Sequence, residues 1–549
     1  MTQLRRHLSP ARLAGHAPAF LVMGLVAVPL VTVLAALFVG DTSGTWRHLF
    51  QTVLPGYVTN SLLLMVMVGL LSSLIGISTA WLVAATDFPG RKMLGWLLVL
   101  PLAAPAYIIA YTYTDLLAPY GPVQTWLYGL PGVFGSLTMP SIRTLPGAAL
   151  LLSLVLYPYI YLLARASFAS RAGTLFEAAR ILGDSPARAF WRIALPAARP
   201  AIAGGLALVL METLADFGVV EYFSVPTLST GIYRTWIGMG EKLAAMKIAG
   251  VMLLFVLALI SFESLTRGGR TDTSRGGRPA RLMLSPVHQL LAIATCALPV
   301  LFGFLLPAIV LAGYTIESGD SRIGDFLTYA TNSISISCIA AILAAGLALM
   351  LAYAQRLSGN WATNAAIRFA TMGYALPGIL IAIGILGSLA GFDRTLTGFA
   401  SAVFGYNGGL ILSGTIILLT YAYVIRFLTV SFNSVNAGLA AIAPNMDDAA
   451  RSLGASPRAV IRRIHAPMMV RSLGAALLLV FVDSMRELPA TLVLRPFNFE
   501  TLATRVYRLA SDERLMEAST SALAIILIGI VPVLLLSHIG SAEETTPRS

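Results

Sequence analysis

EAARILGDSP at residues 177–186 and DAARSLGASP at 448–457 are two copies of one stretch, set 271 residues apart in a chain of 549. Long apolar runs flank each copy. In the first, Thr174 is placed to cap a helix with Glu177 three residues on, a capping box. Ala178, Ala179, Arg180 and Leu182 continue the helix, and Gly183 can take the left-handed conformation that ends it. Ser185 and Pro186 then read as cap and first residue of a second helix, which runs to Pro196. The second copy repeats the grammar. Asn445 caps, Asp448 is third, Ala449 and Ala450 follow, and Gly454 stops the helix. Ser456 and Pro457 start the next one, and Pro467 ends it. The expected unit is helix–Gly–helix, presented twice.

Outward from these loops the chain is apolar. Hydrophobic residues make up 57% and charged residues 11%, where a globular domain carries about 25% charged. Mean hydropathy is +0.80. A soluble chain this long needs more charge to cover its surface, so lipid covers much of this one. A spanning helix needs roughly 20 mostly apolar residues. Such runs fall near 17–40, 61–85, 94–117, 146–169, 201–222 and 243–265. A second set falls near 287–314, 333–355, 367–390, 408–432, 472–494 and 517–537. The fold expected is all-α, a polytopic membrane protein of about twelve helices. The first run is too long for a signal-peptide core and reads as a retained helix.

Six spans separate the two copies, so both face one side, as in a parallel repeat. Other pairs agree: Thr59-Asn60-Ser61 with Thr331-Asn332-Ser333, and PAYIIA at 105–110 with PGILIA at 377–382. The halves read as 1–265 and 285–549. Between them 266–284, rich in Gly, Arg, Ser and Thr, reads as a flexible linker. With both termini in the cytoplasm, about 25 of the 37 Lys and Arg residues lie inside, which obeys the positive-inside rule. Net charge is +12. Basic residues in short loops between spans fit topology better than nucleic-acid binding.

Charged side chains within spans are costly and are functional candidates. Glu212 and Asp216 in the fifth span align with Asp483 and Glu487 in the eleventh. Four residues apart, each pair is expected on one helix face. Two readings stand: the four carboxylates line a translocation path, or they pair structurally, with Arg486 as a partner.

No engine is visible. A P-loop needs Lys followed by Ser or Thr, and Lys92, Lys242 and Lys247 precede Met93, Leu243 and Ile248. Cys296 and Cys338 sit in apolar runs and form no metal motif. His7, His16, His48, His288, His465 and His538 are scattered among loops and span ends and read as surface residues. No catalytic cluster is seen, which counts against a membrane-embedded enzyme. A secondary carrier with parallel repeats is a further alternative, although it needs no paired docking helices.

The pattern Glu177-Ala178-Ala179, Gly183, Ile193, Leu195-Pro196 resembles the EAA loop of ABC importer permeases. The second copy, Asp448-Ala449-Ala450, Gly454, Ile464, Ala466-Pro467, departs in Asp for Glu and Ala for Leu. METLADFG at 211–218 and ELPATLVLRPFNFETLATRVY at 487–507 resemble the iron(III) branch, with two fused permease halves. The resemblance implies a permease subunit in the bacterial inner membrane. It further implies loops that dock on ATP-binding-cassette ATPase subunits, two of them, and a periplasmic substrate-binding protein that delivers the cargo. ATP and Mg would then be bound by the partner ATPase, with no cofactor in this chain. Carboxylates suit a hard trivalent cation, though thiamine or putrescine, also cationic, would tolerate them. Arg495, Arg505 and Arg508 lie outside in this topology, placed to meet the delivery protein or its anions.

Overall fold

The structure is a computed structural model that describes residues 10–40, 44–131, 138–266, 281–318, 323–358 and 360–545. Eleven of its helices are long and apolar enough to cross a membrane, or twelve if one bent pair counts as a single span. The bent pair, Arg91–Ala103 with Ala106–Leu116, lies where the third span is expected at 94–117 and turns by 92°. Pro105 sits at the bend with φ −58° and ψ 136°. Pro377, its repeat partner, has φ −56° and ψ 136°. Both prolines follow a short 3-10 turn and start a new helix. Because of the second break, the ninth span is Gly378–Phe404 rather than 367–390, and the tenth is Ile416–Ala440.

The span pairs are built from small residues. Leu54–Ala85 packs on Leu145–Phe168, and Leu195–Ala215 packs on both. A Cβ on Gly76 would meet Ile160 Cβ at 2.9 Å, and one on Gly205 would meet Ile160 Cα at 2.7 Å. Small residues at such crossings let backbones approach where lipid removes the usual hydrophobic drive.

Three spans contain a π-turn, at Phe190–Ala194, Leu301–Leu305 and Ile461–His465. Each precedes a proline by two residues: Pro196, Pro307 and Pro467. Proline lacks the N–H that would bond the carbonyl four residues back, and its ring crowds that carbonyl. Here the residue before each proline donates five residues back instead: Leu195 to Phe190, Leu306 to Leu301, Ala466 to Ile461. The π-turn absorbs the proline and the helix continues. Pro196 and Pro467 therefore do not end the second loop helices, as the sequence led us to expect. Those helices run straight on into the fifth and eleventh spans.

The chain forms two compact units. The first gathers Met1–Thr42, Thr235–Gly250 and Gly324–Thr504; the second gathers Ser43–Arg234, Val251–Ile323 and Arg505–Ser549. Each unit thus draws helices from both halves of the sequence repeat. In the first, the helix Pro10–Ala36 packs on Trp361–Ala370 and Gly378–Phe404. Its core joins Ala19 and Val22 to Ala348, Leu351, Leu428 and Ala476. In the second, Leu306–Ser318 packs on Leu515–Thr545. A two-residue parallel bridge also joins Thr86–Asp87 to Leu282–Met283. Of the linker at 266–284, residues 267–280 lie outside the described residues.

Gly384 lies so close to the first span that a Cβ there would meet the Pro29 carbonyl oxygen at 2.7 Å. Gly384→Leu is expected to destabilise this unit by about 1–3 kcal/mol through overpacking. The check is a lower thermal midpoint of the purified protein. An unchanged midpoint would contradict the close packing.

Candidate coupling loops and membrane carboxylates

The two repeated loops share their backbone geometry. Helix Arg171–Ile181 ends at Gly183, with φ +97°, and Asp184 N–H donates to Ala179 O at 3.1 Å. Helix Pro444–Ser452 ends at Gly454, with φ +80°, and Ala455 N–H donates to Ala450 O at 3.0 Å. This is the same Schellman closure in both, and it needs the left-handed region that glycine occupies without strain. Ser185 Oγ then accepts from Arg188 N–H, and Ser456 Oγ from Ala459 N–H. Pro186 and Pro457 each open the second helix.

The helix starts differ from expectation. The first helix begins at Arg171, so Thr174 is inside it, donating to Ser170 O rather than capping. The second begins at Pro444, which places Asn445 within the helix. In both cases the preceding span ends close by and fixes where the loop helix starts.

Burial divides each loop into two faces. Ala179 and Ala450 turn inward, while Ala178, Ala449 and Asp448 are exposed and Glu177 is half-buried. Just before each glycine a leucine stands in the open: Leu182 is 87% exposed and Leu453 88%. Ile181 and Trp191 extend the apolar surface of the first loop.

The membrane carboxylates are not paired on helix faces as expected. Helix Leu195–Ala215 stops before Asp216, and Ala466–Met485 stops before Glu487. Asp216 Oδ2 accepts from Val220 N–H at 3.2 Å, at the start of helix Gly218–Tyr222. Its carbonyl accepts from Ser229 Oγ at 2.7 Å. Glu487 accepts from Ala490 N–H at 3.0 Å, and from Thr491 N–H at 3.1 Å and Oγ1 at 2.9 Å, at the start of Pro489–Leu494. Both carboxylates break their span by offering the backbone a partner outside the helix ladder. Their negative charge also suits the N-terminus of the short helix that follows.

Glu487 is 4% exposed and pairs with Arg426 at 3.4 Å. A Cβ on Gly378 would lie 2.4 Å from Arg426 Nη1 and from Glu487 Oε1, so only glycine leaves room for this pair. Asp483 pairs with Arg486 at 2.5 Å. Glu212 has no hydrogen bond or ion pair among the described residues, and interacts with the charge of Asp216. Among the described residues no three His, Cys, Asp or Glu side chains converge as a metal site.

The repeat extends to side-chain bonds. Asn60 Nδ2 donates to Pro226 O at 2.9 Å, and Asn332 Nδ2 to Glu500 O at 3.0 Å. Ser61 Oγ accepts from Leu228 N–H at 3.0 Å, and Ser333 Oγ from Leu502 N–H at 2.8 Å. The Thr-Asn-Ser signature therefore holds the segment after each break to the second span of its half. Arg505 is buried beside Ser521 and Arg495 pairs with Glu500, which leaves exposed Arg508 alone of the three at the surface.

Residues 72–267 match the family model of the binding-protein-dependent transport system inner membrane component. That match takes in residues 72–267 alone, with the first repeated loop inside it. The chain is also similar, at 25% identity over 516 residues, to an Fe(3+)-transport system permease protein of Haemophilus influenzae. That match covers 92% of this chain and 94% of the relative. A ferric transport system permease protein of Actinobacillus pleuropneumoniae is 23% identical over 520 residues, covering 86% of this chain and 70% of the relative. The match spans the first EAA-like loop, and the long relatives span both. A permease of this kind is a multi-pass inner membrane protein that works with an ATP-hydrolysing subunit and a binding protein. The relatives are transport permeases, which points to a transport pore subunit.

Proposed function

We propose that this permease imports iron(III), handed over by a periplasmic binding protein, and that its two loops dock on two ATPase subunits. The observation that carries the docking is the matched pair of bare leucines, Leu182 and Leu453. Each is held at the tip of the same helix–Schellman–Ser-Pro unit. An apolar side chain on a short rigid helix is a natural anchor for a groove. In this reading both termini and both loops face the cytoplasm, and ATP with Mg stays on the partner. Nucleotide-driven closure of the ATPase pair moves Glu177–Gly183 and Asp448–Gly454. The continuous helices through Pro196 and Pro467 carry that motion into the spans, shifting the population between inward and outward states.

Iron(III) rests on the names of the long relatives and on hard oxygen donors in the membrane. Of the four carboxylates, Asp483 and Glu487 are engaged by arginines and Asp216 by a helix start. Glu212 is therefore the side chain available to a passing cation. Vesicles holding the complete transporter, given binding protein loaded with radiolabelled ferric ion, are expected to accumulate iron only with ATP inside the ATPase compartment. Glu212→Gln is expected to lower that uptake about tenfold while ATP hydrolysis persists. Uptake of putrescine or thiamine without iron would reassign the cargo, and full uptake in Glu212→Gln would remove Glu212 from the path.

A further inference from the structure

The two loops are fastened to their neighbouring spans by different chemistry. In the first, Trp81 meets Phe168, Phe176 and Phe190 with ring centroids 5.2, 4.9 and 4.7 Å apart. By the repeat, Trp81 corresponds to Tyr353, Phe176 to Asp447, Phe190 to Ile461 and Ala194 to His465. In the second loop Tyr353, Asp447 and His465 instead join a chain of polar bonds. Tyr353 OH lies 2.8 Å from His465 Nδ1, and His465 Nε2 lies 2.7 Å from Asp447 Oδ1. Arg356 donates to Asp447 Oδ2 through Nη2 at 2.9 Å and Nε at 3.2 Å. Its Nη1 donates to the carbonyls of Leu439 and Ile442. His465 is 4% exposed, which corrects its reading as a surface residue.

We propose that Asp447 is a positioning residue for energy coupling, clamping the second loop helix to the span helix Ile323–Ser358 through Arg356 and His465. This rests on the reading of the loops as ATPase docking elements. The aromatic contacts rest on many dispersion contacts, each worth only about 0.1–0.2 kcal/mol, so a small slide loses little at any one of them. Charge-assisted bonds are directional and short, so the second loop moves with its span as one body. The first loop has more play. The two halves, alike in fold, therefore transmit unequally.

The groups facing the clamp are Tyr353 and Arg356 from the span, Asp447 from the loop helix and His465 from the π-turn. From the helix Ile416–Ala440 and the turn after it come, among the described residues, the carbonyls of Leu439 and Ile442. Partial burial alone would raise Asp447. The hydrogen bonds and charges of His465 and Arg356 outweigh it and hold the carboxyl below its ordinary value. A lowered carboxylate contributes stability above its unfolded value and loses it as pH falls through the folded one. The Asp447 carboxylate is thus expected to stay ionised at any pH above about 4.

The test is iron taken up per ATP hydrolysed by the complete transporter in proteoliposomes. Asp447→Asn is expected to lower that ratio about tenfold, within the usual span of coupling factors, with ATP hydrolysis and ATPase co-purification kept. Asp447→Glu is expected to restore most of it. Phe176→Leu, on the aromatic side, is expected to leave the ratio unchanged. An unchanged ratio in Asp447→Asn overturns the clamp. Should that variant fail to assemble, Tyr353→Phe, which removes only the hydroxyl on His465, must show a smaller drop, and no drop there overturns the proposal. Loss of docking is read separately. If Leu182→Asp combined with Leu453→Asp still retains the ATPase, the docking reading fails, whereas an unaltered ratio in Asp447→Asn with docking intact fails the clamp alone.

Discussion

Changing Leu182 and Leu453 together to aspartate is expected to reduce ATP-driven uptake at least about a hundredfold, while the permease still accumulates in the membrane. Both side chains are almost fully exposed, at 87% and 88%, so the fold loses no contact when they change. A central apolar anchor at an interface is worth about 2 kcal/mol or more when truncated. Placing a charge in the groove that receives it adds a desolvation penalty. Two such losses act on one assembly. The measurement is co-purification of the ATPase with the permease, alongside uptake. A double variant that holds its ATPase and transports normally would contradict the assignment of these leucines. Single variants report whether the loops contribute equally.

The second large effect is structural. Glu487→Ala is expected to destabilise the protein by about 3–5 kcal/mol, because it strands Arg426 in a buried site without its counter-charge. Three hydrogen bonds to the start of Pro489–Leu494 go with it. Arg426→Met combined with Glu487→Met is expected to recover much of that loss, since removing both charges leaves neither unpaired. The readout is heat inactivation of purified protein, with membrane yield as a second measure. If Glu487→Ala matches the unaltered protein in both, Glu487 is not the structural keystone its bonds imply.

Much of the loop geometry was legible because it is local. A glycine after an amphipathic turn followed by Ser-Pro specifies a left-handed stop and a new cap within ten residues, and both copies adopt it. The Thr-Asn-Ser pairs were legible as a repeat, though their long-range bonds were not. The span breaks were missed because a four-residue spacing was read as a helix face. The signal was present: Asp216 stands two residues before Gly218, and Glu487 two before Pro489. A carboxylate followed so closely by a breaker caps the next helix instead of continuing the last. The prolines at 196 and 467 were misread in the opposite sense, since a π-turn lets a helix pass a proline that sequence rules treat as a stop. His465 and Asp447 are 18 residues apart, and their partners on the span lie about a hundred residues upstream. No local pattern announces that convergence. The composition of the compact units was equally hidden, because the repeat defines sequential halves while contact follows which apolar faces meet.

The central claim is that ATP hydrolysed on partner subunits moves iron through this permease by way of the two loops. It is tested most directly by ferric uptake and ATP hydrolysis, measured together in the reconstituted transporter with Gly183→Val and Gly454→Val. Both glycines hold positive φ, and a Cβ at either would meet nothing within 4 Å, so the main effect of valine is strain in the loop turn. Each substitution distorts the turn at about 1–2 kcal/mol. The account predicts that the unaltered complex couples ATP to iron uptake, and that the double variant hydrolyses ATP without importing iron. Iron import at the normal ratio in the double variant would contradict it.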